Sequence, residues 1–186
     1  MDVLVQLQGG DAVVVRPVGP ADRTLLLAAF DRFGDRSRYE RFLIPKQRLT
    51  DDELQFFTEV DHHDHEAIGA IDPLTSQGMG IARYIRDRAR PDRAEAAVAV
   101  VDEWQGKGLG RVLLSHLARR ARIQGIRTFT ATLLTENRAM RALFEELGEV
   151  DAHPDGSALD IEVGLGDAQR VLSTAARASA SYGLRA

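Results

Sequence analysis

Runs of apolar residues along this chain alternate between a period near two and a period near 3.6, and the switches mark out its elements. Val13-Val14-Val15-Arg16-Pro17-Val18 is rich in β-branched side chains and is interrupted by proline, so it predicts a strand. Pro20-Ala21-Asp22 opens a helix in which Leu25, Leu26, Ala29, Phe30 and Phe33 recur on one side. A second helix is expected over residues 35–43, with Tyr39 and Phe42 as aromatic anchors. A third starts at Thr50: its hydroxyl can cap orphan amides, and Glu53 completes a capping box before Phe56 and Phe57.

From Glu66 the period shortens. Residues 66–71, 78–86 and 94–101 are short runs separated by Asp72-Pro73 and Arg90-Pro91-Asp92, which suits antiparallel strands joined by turns. A long helix over residues 109–124 carries Val112, Leu113, Leu117, Ala118 and Ala121 near one face, with glycine just beyond. Residues 128–134 read as a strand, 137–147 as a helix ending at Gly148, and 149–152 and 158–165 as two closing strands. Residues 167–181 predict one more helix, built of Ala, Ser and Arg. The expected fold is α+β: a mixed, mainly antiparallel sheet of six to seven strands flanked by helices over residues 1–166, with a helical tail over 167–186.

Composition narrows the function. Apolar residues make up 44% and charged residues 28% of the 186, ordinary values for one soluble domain. A net charge of −4 argues against a nucleic-acid binder, which needs a basic surface to displace counterions. With no cysteine, disulfides, thiolate metal sites and a cysteine nucleophile are excluded. Residues 1–10 lack the basic start and long apolar run of a signal peptide. No apolar stretch approaches the roughly 18 residues that would span a bilayer, so a soluble cytoplasmic protein, monomer or homodimer, is expected.

The chemistry concentrates where the strand Val98-Ala99-Val100-Val101 runs through Asp102-Glu103-Trp104 into Gln105-Gly106-Lys107-Gly108-Leu109-Gly110 and the long helix. Glycines let backbone approach a ligand that a Cβ would exclude, and the helix start adds unpaired N–H groups and a positive dipole end. Such a unit is an anion cradle, although a tight strand-to-helix turn is the plain alternative. It is no P-loop, since no Ser or Thr follows a Gly-Lys pair, and it lacks the spacing of a dinucleotide fingerprint. Trp104 is expected to pack behind the loop. His63 and His65 of Asp61-His62-His63-Asp64-His65 share a strand face, but two imidazoles are too few for a closed metal site, so no metal is expected.

The Q-x-x-G-x-G spacing of Gln105 to Gly110 after a valine-rich strand resembles the acetyl-CoA signature of the GNAT N-acetyltransferase superfamily. Glu136-Asn137-Arg138-Ala139-Met140, ending in Leu147-Gly148, is similar to that family's next motif. The resemblance covers roughly residues 13–165. Ser37-Arg38-Tyr39-Glu40-Arg41-Phe42, Leu49-Thr50, Asp61, His65-Glu66-Ala67 and Ala94-Glu95-Ala96-Ala97-Val98 further resemble the catalytic domain of Pat-type bacterial protein lysine acetyltransferases. Those proteins usually carry a regulatory domain as well, for which 186 residues leave no room.

The resemblance implies direct attack of an amine, such as a protein lysine, on the thioester of acetyl-CoA. Glu95 is then the general base. By strand alternation it shares a face with Ala97 and Ala99, small neighbours that leave room for substrate, and apolar walls would strengthen its hold on a proton. A solvent-facing glutamate near a strand end is the alternative. Val98, Ala99 and Val100 would offer backbone groups to the pantetheine arm, and the amide of Val100 or a neighbour would polarise the thioester carbonyl. Gln105, Gly106, Lys107, Gly108, Leu109, Gly110 and Arg111 would take the pyrophosphate. Asn137 would bond the pantetheine or an ordered water, or simply cap its helix. Where many relatives carry a tyrosine to protonate the thiolate this chain has Phe144, leaving Ser115 and Tyr84 as possible donors, though packing or surface roles suit both better. His65 would sit beside the acceptor. The alternatives to protein lysine are a small amine or amino acid as acceptor, or a non-catalytic CoA-sensing module.

Overall fold

The computed structural model describes residues 2–166, so the helix expected over residues 167–181 lies outside the described residues. Strands β1 (Val3–Gln6) and β2 (Ala12–Pro17) form a hairpin, and a 3-10 turn at Pro20–Asp22 leads into α1 (Arg23–Asp31), α2 (Asp35–Phe42) and α3 (Asp51–Thr58). A meander of β3 (His65–Ile71), β4 (Gly78–Arg86) and β5 (Arg93–Val100) follows. A 3-10 turn at Asp102–Trp104 then precedes α4 (Leu109–Ile123), β6 (Thr128–Leu134), α5 (Arg138–Glu145), β7 (Val150–Asp155) and β8 (Ala158–Gly164). Among the described residues no helix is long and apolar enough to cross a membrane.

The strands make one eight-stranded sheet in the order β1-β2-β3-β4-β5-β6-β8-β7. Every neighbouring pair is antiparallel except β5 with β6. The architecture is the mixed α+β sheet expected, with one strand more than six to seven. The addition is β1, a short and mostly exposed edge strand without an alternating pattern to announce it. Its pairing is set by the turn at Leu7, where Leu7 N donates to Asp11 O at 2.8 Å and Gly10 adopts φ +90°. At the other edge β7 continues past the expected stop at Ala152, through Pro154 to Asp155. Proline is tolerated there because an outer strand needs no donor on its free side.

Two layers of helix cover the sheet. On one face Leu109, Leu113, Leu117, Ala118 and Ala121 of α4 are buried against Tyr84 of β4 and Ala94, Ala96 and Val98 of β5. The alanines let the helix axis come close, and each fully buried leucine contributes about 1.5–3 kcal/mol. Glu66 of β3, at 0% exposure, is ion-paired with Arg120 near the end of α4 and lies 2.7 Å from His62 Nδ1, which ties the helix to the sheet. On the other face Phe30, Leu49 and Leu54 make a smaller cluster with Leu26, Phe42 and Phe57, joining α1, α2 and α3. The capping box of α3 is formed: Glu53 N donates to Thr50 Oγ1 at 3.2 Å, and Thr50 N donates to Glu53 Oε2 at 2.9 Å.

Gly148, read from sequence as the end of α5, has a role beyond stopping a helix. A Cβ there would lie 2.5 Å from the carbonyl oxygen of Gly164, so a side chain would push β8 away from the α5–β7 turn. Gly148→Ala is expected to cost about 1–3 kcal/mol, the usual range for overpacking, and to lower the unfolding midpoint in denaturant. An unchanged midpoint would show that this approach is not needed.

Candidate active site

The site begins where the sheet comes apart. The parallel pairing of β5 with β6 covers Arg93↔Thr128, Ala94↔Phe129 and Glu95↔Thr130 and then stops. Past that point β5 stays on β4 as far as Val100, and β6 stays on β8 as far as Leu134. A gap therefore opens between the two halves of the sheet. Val101 donates its N–H to Met79 O on the β4 side at 3.0 Å. By alternation the amides of Ala97 and Ala99 also face β4, while those of Val98 and Val100 face the gap. Backbone groups left this way demand a partner, and an extended ligand supplies one in the manner of an added strand.

The glycine loop closes the wide end of the gap. Gly106 and Gly108 sit at φ +73° and +85°, a left-handed region that other residues resist, and no atom lies within 4 Å of where their Cβ would be. Val112 makes the first bond of α4, to Gly108 O at 3.2 Å, so the amides of Leu109, Gly110 and Arg111 begin the helix without intrahelical acceptors. Gln105 braces the loop: its side-chain amide donates to Val100 O at 3.0 Å and to Ser37 Oγ at 3.1 Å. A cleft of about 1000 Å³ results, lined by the loop, Val98, Val100, Trp104, Asn137 and Met140.

Nine of the cofactor residues expected from sequence line this one cleft: Val98, Val100, Gln105, Gly106, Gly108, Leu109, Gly110, Arg111 and Asn137. Ala99 and Lys107 do not. The backbone of Ala99 is turned to β4, and its side chain lines a different cavity beneath α1 and α2. Lys107 Nζ lies 4.1 Å over the ring of Trp104 and 3.7 Å from Asp11 Oδ2. The Arg111 guanidinium is held by both carboxylate oxygens of Glu146, which leaves its backbone N–H to meet an anion. Trp104 packs against the core and also lines the cleft. Asn137 caps α5, its Oδ1 accepting from Met140 N at 3.0 Å, while its Nδ2 donates to Glu40 Oε2 at 3.3 Å. Glu40, which the sequence offered only as part of the motif over residues 37–42, thus links α2 to α5 across the opening.

Beyond Val98 the cleft meets a second cavity of about 640 Å³ that contains Glu95, with Thr132 and Phe144 on the far wall. Glu40, Val98 and Met140 line both spaces. Glu95 is exposed to this cavity, opposite Thr130 of β6. Its surroundings are less apolar than the alanine neighbours foretold, because Arg41 of α2 also lines the wall. Burial pushes the Arg41 guanidinium below its ordinary range, and the charge of Glu95 opposes that shift.

Residues 24–148 match the profile of the Acetyltransferase (GNAT) family. The chain belongs to that family. It is 32% identical to acetyltransferase Pat of Mycolicibacterium smegmatis over 163 residues, which is 86% of this chain and 47% of that protein. It therefore spans about half the length of that curated relative. Acetyltransferase PA5475 of Pseudomonas aeruginosa is 31% identical over 154 residues, 81% of this chain and 82% of the relative. Among solved structures, the GNAT domain of S. lividans PAT superposes with a TM-score of 0.81 at 30% identity, covering 88% of this chain and 97% of that one.

In this GNAT chain the other residues weighed as proton donors lie elsewhere. Tyr84 is fully buried on the α4 face and donates to His63 O at 3.0 Å; burial pushes its phenol up to about 12. Ser115 lines neither the cleft nor the Glu95 cavity. Phe144, at 1% exposure, presents only its ring to the second cavity. Among the described residues no group of three or more His, Cys, Asp or Glu is arranged to hold a metal ion. His65 does not reach either space. It stacks on Phe56 at 4.8 Å, and its Nε2 lies 3.2 Å from Arg83 Nη1.

Burial, reinforced by the neighbouring Arg83 charge, pushes His65 down to about 4. An unfolded histidine titrates near 6.5, so between roughly pH 6.5 and 4 the unfolded chain binds a proton that the folded imidazole refuses. Stability carried by this group is complete above that window and is lost as pH falls through it. The unfolding midpoint of the native chain should therefore drop further between pH 7 and pH 5 than that of His65→Gln. Equal drops would remove His65 from the account.

Proposed function

We propose that this domain transfers an acetyl group from acetyl-CoA to an amine, a lysine side chain of a protein, in one direct displacement inside a ternary complex. The observation that carries the reading is the parting of β5 from β6 just after Glu95. A single opening then presents a helix N-terminus, two free strand amides and a carboxylate in succession. That succession suits a diphosphate, an extended pantetheine arm and an amine waiting at the thioester. The similarity to proteins named Pat supports the lysine acceptor.

The amine arrives on the Glu95 side as an ammonium, drawn by the carboxylates of Glu95 and Glu40, which both border the second cavity. A lysine side chain has a pKa of about 10.4 and is almost wholly protonated at neutral pH, so Glu95 takes a proton, directly or through one water. The freed lone pair attacks the thioester carbon, and the carbonyl oxygen, gathering negative charge, meets the gap-facing amide of Val98. The adduct gives up its second N–H proton to water and collapses by breaking its C–S bond, which leaves the amide product and a thiolate. Phe144 has no proton to give. With an ordinary pKa of about 8.5, a thiol departs readily as the thiolate and takes its proton from water.

Incubating the chain with labelled acetyl-CoA and candidate proteins tests the reading. Label on lysine side chains above the level given by Glu95→Ala is expected. No such excess would remove the protein acceptor.

A further inference from the structure

Beneath α1 and α2, next to the Glu95 cavity, lies a third space, a narrow and partly open hollow. Its wall is mostly apolar, with Leu26, Phe30, Phe33 and Ile81, yet Arg38, Arg41 and Arg83 also border it, and no acidic residue does so among the described residues. Arg83, on β4, is only 5% exposed. It lies over the ring of Phe57 at 4.3 Å and donates to Phe57 O and toward His65 Nε2, each at 3.2 Å. Since His65 is held neutral, it adds no charge and accepts from the guanidinium. Arg41 lies over the ring of Phe42 at 5.1 Å. Among the described residues neither Arg41 nor Arg83 has a carboxylate within ion-pair distance, although the charge of Glu95 acts on Arg41 from the adjoining cavity. Burial lowers both groups, and the charge of Arg41 lowers Arg83 further, so the two repel each other. Arg38 reaches Gln47 O at 3.3 Å and Phe30 O at 3.4 Å, while its Nε is buried without a hydrogen-bond partner.

Two cations held close together in an apolar hollow are stable when an anion joins them, and a guanidinium fork fits a carboxylate edge-on. Arg41 is the shared wall, since it also borders the cavity of Glu95. A carboxylate seated here would belong to a substrate whose reacting atom is one short chain away. We propose that Arg41 and Arg83 form a carboxylate-binding site beside the reacting centre, filled by the free carboxylate of a dicarboxylic acyl chain or by that of the amine acceptor. The apolar wall takes the methylenes between the carboxylate and the reacting atom. This rests on the acyltransferase reading, and puts a substrate that carries a carboxylate in place of either the acetyl group or the protein lysine.

Calorimetry on the full chain tests it without requiring turnover. One arm compares succinyl-CoA with butyryl-CoA, which have equal chain lengths and differ at the terminal carboxylate. The other arm, with coenzyme A saturating the chain, compares free lysine and leucine with their α-amides. The carboxylated member is expected to bind at least about tenfold tighter in one arm, which identifies the source, and Arg41→Met and Arg83→Met should each collapse that ratio toward one. A ratio below tenfold in both arms, or one that survives both substitutions, overturns the proposal. If a methionine variant does not fold, Arg41→Lys and Arg83→Lys, which keep the charge and lose the fork, should lower the ratio, and an unchanged ratio counts against the site. Absence of heat with every thioester would instead sink the acyltransferase reading itself.

Discussion

Replacing Glu95 with glutamine is expected to slow acetyl transfer by about 10²–10⁴-fold, the usual contribution of a positioned general base. Glutamine keeps the size of the side chain and its place on β5 opposite Thr130, so the loss reports proton removal and not collapse of the strand. The affinity for coenzyme A should change little, because the cleft proposed for the diphosphate and pantetheine lies on the other side of Val98. The pH profile supplies a second signature. Without a base the rate depends on amine that is already neutral, so it should climb steadily with pH toward the amine's own pKa, about 10.4 for lysine. A rate within threefold of the native chain across pH 6 to 9 would assign the base to another group.

Gly108→Val should weaken coenzyme A binding by about ten- to a hundredfold, equivalent to about 1.4–2.8 kcal/mol. Two effects add. At φ +85° a residue with a Cβ is strained by roughly 1–2 kcal/mol, and more when branched. The added atoms would also occupy the open space beside the first turn of α4, where the structure leaves nothing within 4 Å of that Cβ. Gly156, in the turn between β7 and β8 at φ +60° and equally open, is the control for strain alone. Gly156→Val should lower the melting temperature yet keep the affinity for coenzyme A. If both variants bound coenzyme A as the native chain does, the loop would have no part in holding it.

The elements that could be read in advance are those with strong local grammar. The capping box of Thr50 and Glu53, the leucine stripe of α4 and the glycine beyond it at Gly125 all formed as the pattern required. β1 was invisible because four mostly exposed residues acquire their strand character from pairing with β2, not from themselves. The glycine loop was legible because closely spaced glycines ahead of a helix mark left-handed turn positions, which Gly106 and Gly108 take. Ala99 shows the limit: alternation indicates which residues share a side, but only the bond from Val101 to Met79 reveals which edge of β5 is already taken. Partners brought from far along the chain were beyond reach. Glu40 meeting Asn137, Arg111 clasped by Glu146, and the two arginines meeting beneath α1 and α2 each depend on how separate helices settle on the sheet.

A crystal of the chain grown with acetyl-CoA tests most directly whether strand and helix-start amides grip one cofactor. Diphosphate oxygens are predicted within hydrogen-bond reach of the amides of residues 106–111, the pantetheine paired with the gap side of Val98 and Val100, and the thioester facing Glu95. Density for the diphosphate away from the first turn of α4, or a thioester remote from Glu95, would contradict it.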